Sequence, residues 1–182
     1  MTSNAASTID QQSKASRIIS DTIVETLTDE RGAHAETCVA GAARMAGTFL
    51  FRSFGLPTQN LEPGSPVFSE IANQRGPVLV EVLKSGLIGL KVPFDESKMD
   101  VEPRTDHQPL INLAETQRKL EKKLTAIATA HGLDNESAAR ACALAAALLM
   151  YQTRSVLDPS ISLEIAVYGF VEGTKTVPQP VA

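Results

Sequence analysis

The sequence predicts an all-α protein, a bundle of six or seven helices. Three observations predict it. Apolar residues recur every three or four positions over most of the chain. Glycines and proline-containing caps punctuate those segments where helices start and stop. Two Ala-rich segments, 34–54 and 135–155, hold small side chains of high helix propensity. The 182 residues, 43% hydrophobic and 21% charged, suffice for one core without disulfides or structural metal.

Residues 1–8 are small and polar, carry no secretory signal, and are expected to be disordered outside the fold. The first helical half spans 9–92. Its first helix, 9–31, places Ile19, Ile23 and Leu27 on one stripe, with Thr8 as a cap and Gly32 as a left-handed stop. A second helix, 34–54, ends before Gly55 and Pro57. After a Pro- and Gly-containing loop at 56–64, Ser65-Pro66 reads as a cap and first-turn proline for a short helix to 75. Val78, Leu79, Val82, Leu83 and Leu87 then fit one helical face, while the β-branched content of 78–92 also suits a hairpin.

Residues 93–109, with three prolines and no periodicity, read as a linker. The second half, 110–177, opens with a helix at 110–131 bearing the stripe Leu113, Leu120, Leu124 and Ile127, closed by Gly132. Asp134 or Asn135 caps the Ala-rich helix 135–155. Asp158-Pro159 opens a last segment whose alternation of Ile161, Leu163, Ile165 and Val167 also suits a strand. Hairpins at both 78–92 and 161–171 would make the protein α+β. Residues 178–182 read as a tail.

The halves follow one plan: amphipathic helix, glycine, Ala-rich helix, loop, capped third element. A shift of 100 places Gly32 on Gly132, Glu36 on Glu136, Ala43 on Ala143 and Ala46 on Ala146. This order of elements suggests two related three-helix halves packed as one domain, with the Ala-rich helices as the central pair.

The chemistry is narrowed mainly by exclusion. The net charge of −4 and the 4% of aromatic residues give no basis for a nucleic-acid surface. The segment around Gly132 has helix-turn-helix spacing, but the following helix is apolar nearly all round and belongs in a core. The most apolar run, 141–151, is half the length of a membrane span, so a cytoplasmic protein with two reduced cysteines is expected. No phosphate loop, nucleotide fingerprint, metal-binding motif or nucleophile elbow occurs, so no cofactor or metal is expected. Cys38 with His34 one turn earlier is the one constellation with nucleophile-and-base spacing, and the Ala42–Ala46 continuation of that face reads as packing instead. Arg44, Arg52, Arg140 and Arg154 stand on the Ala-rich helices and each requires a partner or water.

Two functions follow. The first is a non-catalytic, self-associating or protein-binding module, using surplus apolar residues at 78–90 and 161–171. The alternative is a cleft between the halves in which the four arginines hold a small anionic ligand, with catalysis open only through Cys38.

Overall fold

The computed structural model describes residues 2–99 and 105–180, with side chains from Thr8 onward. Six long helices and one short one make an all-α bundle: α1 (Thr2–Leu27), α2 (Ala35–Ser53), α3 (Glu70–Arg75), α4 (Pro77–Gly89), α5 (Leu113–Ala130), α6 (Asn135–Thr153) and α7 (Pro159–Thr174). The described residues contain no strand, so both hairpin alternatives fall. In 78–92 the residues Leu79, Leu83 and Leu87, four apart, are all fully buried on one helical face, and that burial outweighs β-branched propensity.

The caps account for the boundaries. Asn112 accepts from the Glu115 backbone N–H, Asp134 from that of Ser137, and Asp158 from that of Ser160. Pro159 then sits in the first turn of α7, where its missing N–H costs nothing. Gly132, at φ +65°, ends α5 in a left-handed turn. Four boundaries differ from expectation. α1 begins at Thr2, because Ala5 and Ala6 propagate the helix and no Gly or Pro interrupts it. Ser65-Pro66 is extended and pairs with the C-terminal segment through a Pro66–Thr176 bridge, while Ser69 caps α3. Residues 100–104 of the 93–109 linker lie outside the described residues, and on either side of them the linker is anchored: Lys84 pairs with Glu96 at 2.7 Å, and His107 Nδ1 lies 3.0 Å from Glu36 Oε1. The tail is anchored too, since Val177 and Pro178 are buried and the Gln179 N–H donates to Gln117 Oε1 at 3.1 Å.

The two Ala-rich helices, α2 and α6, pack on each other at the centre, buried on nearly every side. The outer helices cross over. α1 and α4 lie mainly on α6, whereas α7 lies on α2, and α5 lies on α2 and α1. Glycines bring α2 and α7 into backbone contact. A Cβ on Gly173 would stand 2.3 Å from the Arg44 carbonyl oxygen, and one on Gly47 2.6 Å from that of Phe170. Three glycines, Gly47, Gly169 and Gly173, therefore let two backbones meet. Gly86 does the same more mildly for α4 on α6, where its Cβ would meet the Ala147 Cβ at 2.8 Å. Most of the apolar surplus of the third elements is absorbed here: Leu163, Ile165, Ala166 and Phe170 of α7 are core.

Candidate functional site

The four arginines do not line one cleft. Arg52 pairs with Glu121 of α5 and donates Nη2 to the Gln179 carbonyl at 2.8 Å. Arg140 donates to Glu136 at 3.2 Å, one turn back on α6, and Arg75 also pairs with that carboxylate. Arg154 lies over the Tyr151 ring, 3.8 Å from its centroid, on the surface. They diverge because Arg140 and Arg154 leave α6 at opposite ends, each finding its partner within a turn.

Arg44 is different. It is only 7% exposed, and it donates Nε to Glu172 Oε2 at 2.7 Å and Nη1 to the Ile111 carbonyl at 2.6 Å. These partners come from α7 and from the 105–112 segment, so the guanidinium joins three parts of the chain. Around it lies a cavity of about 170 Å³ between α2, α7 and that segment, lined by Ala40, His107, Glu164, Tyr168 and Glu172 among others. Glu164, Tyr168 and Glu172 recur every four residues on α7, and Glu164 is 2% exposed. This acidic stripe is hidden in the sequence, because its spacing has meaning only once 161–171 is read as helix.

Next to the cavity a chain of hydrogen bonds holds the 105–112 segment on the start of α2. His107 Nδ1 lies 3.0 Å from Glu36 Oε1, and His34 Nε2 lies 3.3 Å from Glu36 Oε2. His34 Nδ1 accepts from the Thr37 backbone N–H and lies 2.8 Å from Thr37 Oγ1, so His34 is the N-cap of α2. Burial pushes the Glu36 carboxyl up, but the His107 hydrogen bond, its own backbone N–H and the nearby histidines outweigh this and hold it below the usual range.

The Cys38–His34 pair fails as nucleophile and base. Both His34 ring nitrogens are committed to Thr37 and Glu36. Cys38 is buried, and burial pushes its thiol up to about 11, opposite to what a nucleophile needs. Cys142 is likewise buried with its thiol pushed up. No group of three or more His, Cys, Asp or Glu with metal-binding geometry occurs among the described residues, and no described helix is long and apolar enough to cross a membrane.

The second concave feature is apolar. A groove of about 350 Å³ runs between α3, the start of α4 and α7, walled by Ala72, Pro77, Val80, Val167, Phe170 and Val171. Its rim carries Glu81 and Lys175, neither of which forms an ion pair with a described residue. The stretch next to the Lys175 end of its rim, joined there through Val67, carries Phe68, 91% exposed. Phe68 is held on both sides: the Val67 N–H donates to the Lys175 carbonyl at 2.7 Å, and Ser69 caps α3.

The chain matches no protein-family model, no curated protein and no solved structure.

Proposed function

We infer that this protein acts without catalysis, as a module that associates with a second copy of itself through the α3–α4–α7 groove. The observation that carries the reading is Phe68, a nearly fully exposed aromatic held rigidly beside an apolar groove of a size to receive it. A knob and a hole side by side on one surface suit a two-fold interface, in which each copy's Phe68 enters the other's groove. Charge supports the same partner: Glu70, two residues beyond the knob, would meet the unpaired Lys175 on the opposite rim.

Burying two such knobs contributes roughly 5 kcal/mol, against an association cost of about 4–15 kcal/mol. Groove-wall residues such as the half-exposed Val171 must supply the rest, so the dimer is of moderate affinity. Sedimentation equilibrium tests the reading. The native chain should form a dimer that Phe68→Ala converts to monomer with its helical circular dichroism intact. Glu70→Lys and Lys175→Glu should each weaken the dimer and together restore it. A native chain that stays monomeric to several hundred micromolar, or a Phe68→Ala dimer of native strength, would overturn it.

The crossed packing of the outer helices also supports reading the chain as two related three-helix halves. α1 and α4 of the first half cover the central helix of the second, and α5 and α7 of the second cover that of the first.

A further inference from the structure

We propose that the cavity at Arg44 binds a small zwitterion of the α-amino-acid type, with its carboxylate on Arg44 and its ammonium on Glu172. The first support is the state of the guanidinium. Nε and Nη1 are committed to Glu172 and Ile111, and Nη2 has no hydrogen bond to any described residue. Nη2 is not a sealed, unsatisfied donor either: the buried side-chain polar atoms without partners among the described residues are Ser162 Oγ and Thr174 Oγ1. Nη2 is therefore not sealed off, and Arg44 lines this cavity. A guanidinium with a spare N–H pair in a confined space is a carboxylate donor.

The second support is Glu172. Its Oε2 accepts from Arg44, its Oε1 has no described partner, and its side chain is 44% exposed. An anion alone would gain the Arg44 donors but would lie against the Glu172 carboxylate. A cation alone would leave Nη2 unmatched. A molecule carrying both charges one carbon apart answers both groups, because the salt bridge itself holds donor and acceptor side by side.

Size and lining narrow the class further. A cavity of about 170 Å³ lies below the roughly 300–1,000 Å³ of sites for drug-sized ligands, which suits a small amino acid and not a nucleotide or a peptide. The remaining wall includes Ala40, Pro109 and Ile165, so the ligand side chain should be short and uncharged. The cavity is walled by α2, α7 and the 105–112 segment and contains only Arg44 of the four arginines. The Glu172 carboxylate changes the expected ligand from a simple anion to a zwitterion. This inference is independent of self-association.

Isothermal titration of the full chain with L-alanine, propionate and ethylammonium tests it. L-alanine should bind at least tenfold more tightly than either single-charge analogue, since each charged hydrogen bond lost is worth about that factor or more. Glu172→Gln, at a half-exposed position, should keep the fold and weaken L-alanine at least tenfold while leaving propionate no weaker. Propionate binding equal to L-alanine would reduce the site to an anion site, and equal ethylammonium binding would reduce it to a cation site. Either result, or no heat with any small neutral amino acid at tens of millimolar, overturns the proposal.

Discussion

Replacing Gly173 with alanine should destabilise the protein strongly, although alanine is the better helix former. The added Cβ would lie 2.3 Å from the Arg44 carbonyl oxygen, 2.8 Å from the Thr48 nitrogen and 2.9 Å from the Gly47 Cα. All three are backbone atoms of α2, so no side chain can swing away. Relief requires α7 to retreat by roughly 1 Å, but Leu163, Ala166 and Phe170 hold α7 in the core. Overpacking costs about 1–3 kcal/mol where side chains yield, and sometimes more, so a backbone clash belongs at or above the upper end. Helix propensity returns about 1 kcal/mol, which leaves a net loss of roughly 2–3 kcal/mol. For a chain of this length that lowers Tm by about 5–10 °C. Gly89→Ala is the matched control, because nothing lies within 4 Å of its Cβ; it should be neutral or raise stability by about 0.5 kcal/mol. Thermal and urea unfolding followed by circular dichroism measures both. A Gly173→Ala protein as stable as the native chain would refute the claim that glycine-mediated backbone contact joins α2 and α7.

Arg52→Met removes the partner of Glu121, a carboxylate only 3% exposed, and should cost a few kcal/mol in urea unfolding. Adding Glu121→Leu should recover much of that loss, since an apolar pair avoids the stranded buried charge. The Glu36 carboxyl is held below its ordinary value in the folded state, so its stabilising contribution is present above the unfolded pKa, near 4.5. That contribution is lost as pH falls through the lower folded value; Glu36→Gln should therefore unfold with a shallower dependence on pH below about 4.5 than the native chain. Cys38 and Cys142 are both buried with thiols pushed up, so a disulfide reagent should label them only as fast as the protein opens. Rapid labelling in native buffer would contradict the burial of α2 and α6.

Much of the fold was legible because its signals are local. Asp134, Asp158-Pro159 and Gly132 mark helix ends by chemistry that acts within one turn, and all three do so in the structure. The third elements were ambiguous for a physical reason. α7 is buried on several sides at once, so its apolar positions follow no single helical face and the narrow row Glu164, Tyr168 and Glu172 is masked by the strand-like alternation of Ile161, Leu163, Ile165 and Val167. The site was only partly legible. Arg44 stands out as a charge in an Ala-rich helix. Its partners Glu172 and Ile111 lie 128 and 67 residues away, where no local spacing points to them. The docking of 105–112 was invisible in the same way, because the proline content of 93–109 reports its irregular backbone and not its contacts with Glu36 and Thr37.

The glycines and the cavity are one design problem. Arg44 is buried, and a buried guanidinium is tolerable only where its partners are fixed. Glu172 can serve because the next residue, Gly173, packs its backbone on the Arg44 carbonyl, which sets the register of α7 against α2. One helical turn earlier, Gly169 sits against Ala40, Ala43 and Arg44, which places Tyr168 and Glu164 along the same wall. The glycines cost helix propensity, roughly 1 kcal/mol each. A purely structural bundle could join α2 and α7 through alanine and leucine without that penalty. Close approach at Gly169 and Gly173 instead brings a buried cation and its carboxylate into direct contact beside an open cavity. The three residues Arg44, Gly173 and Glu172 are therefore coupled: a change that moves α7 away from α2 should disturb the cavity before it disturbs the α4–α6 contact at Gly86 and Ala147.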